Sequence, residues 1–150
     1  CMKMGWPELK NVKTYEEERI REQEHGEALL YNDWRVFHAL NPKQRRLYEK
    51  QGAYWYCYPQ GENVPNVRER VRSWFRTLIK DFRNKRVLAF THHITILSIR
   101  ANLERLGANE YIHLDEHEKP MNCGVTLYIG NPSLGKNGKL VLESYNQKYY

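Results

Sequence analysis

The sequence has no long apolar run: the longest uninterrupted one, residues 53–58, holds only six residues. A membrane-spanning helix needs roughly 20 apolar residues in succession, so the sequence predicts no membrane association. The chain also shows no signal peptide pattern, no internal repeat and no low-complexity segment. These absences predict a soluble, cytoplasmic protein.

Cysteine is scarce, and the three present are Cys1, Cys57 and Cys123. They form neither a Cys-x-x-Cys pair nor an even set, which predicts free thiols in a reducing compartment. His113 and His117 stand four apart with carboxylates between them, but residues 109–120 show no clear helical stripe. We therefore predict a solvated loop there, no metal site and no cofactor.

An initiator methionine is also missing, and residues 1–7 follow neither a helix nor a strand pattern. We therefore expect this sequence to start inside a longer protein. A hydrophobic content of 41% and an aromatic content of 13% exclude a disordered chain. A length of 150 residues fits one domain, which we place at residues 1–150.

Positive charge is concentrated in one segment. The net charge is +6, and residues 68–86 hold eight basic residues against Glu69 and Asp81, a balance of 8 − 2 = +6. An apolar stripe accompanies these charges, so they are predicted to form the solvated face of an amphipathic helix. A basic helix can bind nucleic acid, but no nucleic-acid motif accompanies this one, and that hypothesis ranks last.

Hydrophobic periodicity predicts a three-layer α/β domain. Helical spacing occurs in four segments: 28–40, 43–50, 65–83 and 94–103. Strand patterns occur in three others: 87–90, 123–130 and 139–145. The run 87–90 is predicted to be a buried strand of a mostly parallel sheet, and the last two strands form a terminal hairpin. Gly107 is expected to end the fourth helix, and residues 28–65 to form a helical and aromatic lid-like insertion.

Two histidines, His92 and His93, follow the predicted strand 87–90 and begin the next helix. Ligands of α/β sheets commonly bind at the carboxyl ends of strands, and a helix N-terminus offers free N–H groups to an anion. Imidazoles in such a position suggest phosphate chemistry.

Three segments share their order and spacing with one known family. They are Ile20-Arg21-Glu22-Gln23-Glu24-His25-Gly26, Tyr58-Pro59-Gln60-Gly61-Glu62-Asn63, and Val87 to His93. Over most of residues 20–128 the chain resembles the histidine phosphatase superfamily, in the branch of cofactor-dependent phosphoglycerate mutases and fructose-2,6-bisphosphatases. The first segment resembles that family's Leu-x-Glu segment, the second its Phe-Pro-x-Gly-Glu-Ser stretch, and the third the strand that ends in its second active-site histidine.

The resemblance implies a phosphoglycerate mutase-like α/β/α fold, with the first strand apparently missing, and phosphoryl transfer through a phosphohistidine. In that chemistry one imidazole attacks phosphorus, a carboxylic acid protonates the leaving alcohol, and other cationic groups neutralise the phosphate oxygens. The implied catalytic residues are Glu22, as proton donor, and His92, as phosphate-pocket imidazole. Substrate contacts are implied for Arg21, Glu62, Asn63, His93 and Arg100. Glu62 is expected to act by orienting charged neighbours.

The sequence departs from the family in several places. The Arg-His-Gly motif that supplies the nucleophilic histidine is absent, and so is a second upstream phosphate-binding arginine. Cys57 and Leu97 stand where relatives often carry arginine, which leaves the substrate's identity open.

The leading hypothesis is the larger, C-terminal part of a phosphomonoesterase that acts on a small phosphorylated metabolite. Three alternatives remain open: phosphoglycerate mutase-type phosphotransfer, a catalytically inactive domain that binds phosphate esters, and a basic nucleic-acid-binding protein. Whether the protein forms a homodimer is also open.

Overall fold

The computed structural model describes residues 10–30, 33–136 and 138–149. Residues 1–9, with Cys1 and the patternless start of the chain, lie outside the described residues, as do residues 31–32 of the predicted lid. Short 3₁₀ turns form at Glu18–Ile20 and Glu27–Leu29. The longer elements among the described residues are α1 (Trp34–Leu40), α2 (Pro42–Trp55), α3 (Val64–Asp81), α4 (His93–Glu104), α5 (Ala108–His117), β1 (Val125–Asn131) and β2 (Lys139–Gln147).

Helix α3 runs through the core, and its prediction from the apolar stripe is confirmed. Asn63 caps its first turn, where Pro65 lacks only an N–H that would have no partner inside the helix. The buried face of α3 carries Val64, Val67, Val71 and Trp74. Helix α4 packs against α3 with Leu97 and Ala101 fully buried, and so the start of α4 has a fixed position in the domain.

The basic face of α3 is only partly solvated. Arg68 donates to the hydroxyl of Tyr54 at 2.7 Å and to the carbonyls of Ala101 and Leu106 at 3.3 and 2.9 Å. The prediction of a solvated face is therefore wrong for Arg68, whose guanidinium turns toward the end of α4 and donates to these carbonyls. It is also wrong for Arg70, whose side chain is 13% exposed. The remaining exposed basic residues of the segment are Arg72, Arg76, Lys80, Arg83, Lys85 and Arg86.

Residues 108–117 form helix α5, so the predicted solvated loop is wrong. Two apolar residues three apart, Tyr111 and Leu114, are buried and provide enough of a stripe to hold one helical face. Gly107 does not end α4; it caps α5, where its N–H donates to the Glu110 carboxylate at 2.6 Å. Helix α4 ends instead at Arg105, in the left-handed conformation.

The predicted buried strand at 87–90 is also wrong. These residues adopt neither helix nor strand, and Val87, Leu88 and Phe90 are 48%, 65% and 72% exposed. A short apolar run is buried in a sheet only when other strands flank it, and within the described residues β1 and β2 pair solely with each other.

The terminal hairpin is confirmed. Strands β1 and β2 pair antiparallel, with Tyr128 opposite Leu142 and Asn131 opposite Lys139. The hydroxyl of Tyr128 donates to Glu104 at 2.6 Å, which fastens the hairpin to the end of α4. A mostly parallel sheet is not confirmed, since the described residues contain this antiparallel pair alone.

The segment predicted as a lid is helical and aromatic, as expected. Phe37 of α1 packs against Tyr56 and Tyr58, which follow α2, and these rings make a second small core. Gly52 bends α2 with a positive φ of 76°. Closure of this segment over a substrate stays a prediction. None of the described helices combines the length and hydropathy needed to cross a bilayer.

Candidate active site

The two predicted catalytic residues meet at the start of α4. His92 is the residue that precedes the first turn, and its imidazole makes no capping hydrogen bond. The carboxylate of Glu22 accepts from the N–H of Ile94 at 3.3 Å and from that of Gln23 at 2.9 Å. A helix N-terminus stabilises negative charge, so the Glu22 carboxylate lies at a position suited to an anion, and the exposed His92 directly precedes that helix.

Two threonines hold the chain beside Glu22. The hydroxyl of Thr91 donates to the carbonyl of Ile20, and that of the buried Thr95 donates to the carbonyl of Arg21 at 2.5 Å. Both threonines belong to the residues around the start of α4. The segment that carries Glu22 is thus bound directly to the helix end that His92 precedes.

Arg70 on α3 holds the same segment from the other side, and the sequence interpretation gave it no role. Its guanidinium donates to the carbonyls of Arg19, Arg21 and Glu22 at 2.8, 2.9 and 3.0 Å. It also contacts the Glu62 carboxylate at 2.9 and 3.0 Å. A signal was present in the sequence, because a buried carboxylate needs a cationic partner and Arg70 follows Glu62 by eight residues.

Glu62 contacts two arginines, and its predicted role of orienting charged neighbours stays a prediction. Its carboxylate binds Arg70, accepts from the N–H of Glu24 at 3.0 Å and lies 3.6 Å from the Arg21 guanidinium. Burial of Glu62 works against its charged form, but these hydrogen bonds and positive charges outweigh burial and hold its pKa below the usual range.

The first two sequence motifs cross at a pair of glycines. A Cβ on Gly26, which has a φ of 71°, would lie 2.1 Å from the Pro59 carbonyl oxygen. A Cβ on Gly61 would lie 2.6 Å from the Glu24 carbonyl oxygen, and the N–H of Glu62 donates to that same oxygen at 2.6 Å. The two loops can approach this closely only because neither residue has a side chain.

His93, the first residue of α4, is turned toward α5. Its Nε2 lies 2.8 Å from a carboxylate oxygen of Asp115, which the sequence analysis had placed in a solvated loop. Both atoms are buried and neither makes a hydrogen bond to another described group, so this short ion-pair contact is the interaction that offsets their burial. Asp115 could be recognised as the partner of His93 only after residues 108–117 were known to be helical.

Asn63 and Arg100, which were predicted to touch substrate, have their polar groups engaged elsewhere. The Asn63 side chain caps α3 and donates to the Trp55 carbonyl at 3.2 Å. Arg100 is buried, forms two hydrogen bonds with Glu104 at 2.9 and 3.0 Å, and lies under the ring of Tyr145 at 4.1 Å. Their substrate contacts stay predictions.

The histidines of α5 stack on each other. Ring centroids of His113 and His117 are 4.4 Å apart, and the Nδ1 of His117 lies 3.0 Å from the His113 carbonyl oxygen. Within the described ranges, no group of three or more histidine, cysteine, aspartate or glutamate side chains is arranged to hold a metal ion.

Comparison with solved structures shows which fold this arrangement belongs to. A protein described as mycobacterial hydrolase 1 is 20% identical with a TM-score of 0.66, over 89% of this chain and 64% of that chain. A mycobacterial glucosyl-3-phosphoglycerate phosphatase complexed with inorganic phosphate is 21% identical with a TM-score of 0.63, over 87% of this chain and 63% of that chain. The structure of that phosphatase with VO3 is 18% identical with a TM-score of 0.67, over 94% of this chain and 67% of that chain.

At these identities the likeness shows a shared fold, and the present chain spans about two thirds of the length of these neighbours. A search of curated proteins gave no match. The sequence profile of the histidine phosphatase superfamily, branch 1, matches residues 7–131, which is most of the chain. This match agrees with the motifs that converge at Glu22, Glu62 and His92, and the chain belongs to the histidine phosphatase superfamily.

Proposed function

We propose that this chain is the larger part of a phosphomonoesterase that acts through a phosphohistidine on a small phosphorylated metabolite. The observation that carries this proposal is the contact between the Glu22 carboxylate and the Ile94 amide in the first turn of α4, two residues after His92. Superfamily membership and structural neighbours that include a phosphatase add support. The nucleophilic histidine would come from a segment outside this sequence, which has no Arg-His-Gly.

The proposed reaction has two steps. The external imidazole nitrogen attacks phosphorus, the bond from phosphorus to the ester oxygen breaks, and Glu22 gives its proton to the leaving alkoxide to form the alcohol. Water then attacks phosphorus, the bond from phosphorus to nitrogen breaks, and the Glu22 carboxylate takes the proton from the attacking water. Inorganic phosphate is released.

The other residues supply charge and position. His92 and the free amides of α4 stabilise the phosphate oxygens in the transition state. Arg21 and His93 neutralise further negative charge, while Glu62 with Arg70 keeps the Glu22 segment in place. Asp115 holds the ring of His93 through the 2.8 Å contact between them.

The sharpest test of Glu22 compares two leaving groups in the protein expressed from its full coding sequence. p-Nitrophenolate departs as a stable anion, whereas a sugar alkoxide must be protonated. We therefore expect Glu22→Gln to lower kcat/KM, which reports the steps up to departure of the leaving group, about 100-fold or more for glucose 6-phosphate and much less for p-nitrophenyl phosphate. Glu16→Gln, at an exposed glutamate of the same polar stretch, is the matched control and should leave both rates unchanged.

The intermediate has its own test. When the reaction of the protein with a labelled phosphomonoester is quenched, an acid-labile phosphohistidine should be trapped. His92→Ala should diminish the amount of phosphohistidine, whereas the exposed-site variant His113→Ala should not. Phosphate-ester binding without any phosphoenzyme would favour the inactive binding domain instead. Transfer of the label to a second metabolite rather than to water would favour mutase-type chemistry.

A further inference from the structure

An open cleft of about 610 Å³ begins one residue beyond Glu22. We call it the aromatic cleft; its walls include Gln23, Glu24, Asp33, Trp34, Tyr48 and Tyr58. Its size falls within the range of ordinary small-molecule sites. Since the Glu22 carboxylate is the proposed proton donor to the leaving group, that leaving group would extend into the adjoining cleft.

The charge of the aromatic cleft is opposite to that of the chain. The chain has a net charge of +6, yet Glu24 and Asp33 supply the formal charges among the described lining residues, and no described lysine or arginine lines the cleft. A leaving group with its own carboxylate would face these two like charges, and His25 is the one described lining residue that carries a positive charge when protonated. Such a juxtaposition opposes binding.

The two carboxylates are fixed in place rather than free. Glu24 accepts from the N–H of Gly26 at 3.1 Å and lies 3.6 Å from the Arg21 guanidinium. Asp33 accepts from the N–H of Arg35 at 2.8 Å, and the Arg35 side chain lies 3.7 Å from the same oxygen. These partners weaken both the attraction of either carboxylate for a cationic ligand and its repulsion of an anionic one, while each carboxylate still has lone pairs that accept hydrogen bonds from hydroxyl groups.

The aromatic walls add apolar surface beside these acceptors. Trp34 is about half exposed at the start of α1, and Tyr48 and Tyr58 pack into the cluster beneath it. Burial raises the pKa of Tyr58 to about 12, with smaller contributions from Tyr48 and Tyr56, so its phenol stays neutral at physiological pH. Flat rings beside fixed hydrogen-bond acceptors suit a ligand with C–H faces and outward hydroxyl groups.

We propose that the aromatic cleft binds the leaving group of the substrate, and that this leaving group is a neutral polyhydroxylated alcohol such as a sugar, not a carboxylated one. The inference rests on the proposed phosphatase function and adds the substrate class to it.

Three substrates of similar size test the charge preference. Glucose 6-phosphate is neutral beyond its phosphate, 6-phosphogluconate adds a carboxylate, and glucosamine 6-phosphate adds an amine. We expect kcat/KM for glucose 6-phosphate to exceed that for 6-phosphogluconate at least about tenfold and to equal or exceed that for glucosamine 6-phosphate. Equal or faster turnover of 6-phosphogluconate would overturn the proposal, and so would a tenfold preference for the amine.

Two variants locate the effect in the aromatic cleft. Asp33→Asn keeps the helix cap and removes one charge, so discrimination against 6-phosphogluconate should fall several-fold. The control Asp81→Asn, at the end of α3, should leave that discrimination unchanged.

Trp34→Ala should lower kcat/KM for glucose 6-phosphate about tenfold but leave kcat/KM for acetyl phosphate unchanged, because the small leaving group of acetyl phosphate does not reach the ring. Trp55→Ala, a half-exposed tryptophan outside the cleft, is the matched control.

A binding measurement separates this proposal from the proposed function. Calorimetric titration of Glu22→Gln protein with the same three phosphates needs no turnover. If the wild-type protein forms no phosphoenzyme and hydrolyses nothing, the phosphatase proposal fails, but tighter binding of glucose 6-phosphate than of 6-phosphogluconate would still support the cleft. Hydrolysis of phosphomonoesters with no such preference in either measurement would overturn the cleft proposal alone.

Discussion

Arg70 and Glu62 form an ion pair with two hydrogen bonds, at 2.9 and 3.0 Å, between side chains that are 13% and 17% exposed. The same guanidinium binds three carbonyls of the segment that carries Glu22. Arg70 thus connects helix α3 with the motif that carries Glu22 and with the motif that carries Glu62. The geometry of Glu22 therefore depends on a residue that touches no substrate in the proposed reaction.

Replacing Arg70 with glutamine should destabilise the fold by about 3 kcal/mol, because the Glu62 carboxylate would lose its main partner while buried. The free energy of unfolding from urea denaturation measures this. Arg72→Gln is the control, since its 2.9 Å pair with Glu69 is exposed and should be worth about 0.5 kcal/mol or less. Similar losses for the two variants would show that Arg70 is not the connection described here.

Acid should weaken the fold through Glu62. Its pKa is held below the ordinary value of 4.5, so its stabilising contribution is present above about pH 4.5 and is lost as the pH falls through its folded-state value. Unfolding measured between pH 7 and pH 3 should therefore show a smaller loss for Glu62→Gln than for wild type, while Glu69→Gln should follow wild type. Parallel curves for wild type and Glu62→Gln would contradict this.

Two glycines with positive φ allow backbone strain to be separated from contact. Gly26→Ala and Gly52→Ala both force a side chain into a conformation that favours glycine, which costs about 1–3 kcal/mol. A Cβ at Gly52 meets no atom within 4 Å, whereas one at Gly26 meets the Pro59 carbonyl at 2.1 Å. We expect Gly26→Ala to lower the melting temperature much more than Gly52→Ala does. Equal decreases would mean that the loops that meet at Gly26 and Pro59 move apart freely.

Arg100→Lys distinguishes a structural role from the predicted substrate contact. Lysine cannot reproduce the two hydrogen bonds to Glu104 or the stacking under Tyr145, so the variant should lose about 2 kcal/mol of stability. If Arg100 only connects α4 to the hairpin, KM for glucose 6-phosphate should hardly change. A large rise in KM at unchanged stability would instead support direct contact with substrate.

Local patterns were enough to predict much of the chain. The apolar stripe of α3, the hairpin of β1 and β2 and the start of α4 all depend on residues close in sequence. The first two predictions are confirmed, and α4, predicted from residue 94, begins at His93. The order of the three motifs was enough to indicate the superfamily, which the profile match over residues 7–131 confirms.

Contacts between distant residues could not be predicted in this way. Arg70 and Asp115 looked like solvated charges because their partners, Glu62 and His93, come from other segments. The run 87–90 looked like a buried strand because its composition is that of one, yet burial depends on neighbouring strands that no residue within the run specifies.

The sequence alone therefore determined that Thr91, His92 and His93 stand at the start of a helix and that Glu22 lies in one of the three motifs that indicate the superfamily. Tertiary structure decided which groups surround them: Glu22 on the amide of Ile94, His93 on Asp115, and an acidic aromatic cleft beside both motifs. Helix starts follow from local periodicity and capping, whereas the partners of a buried charge are set by how whole elements pack.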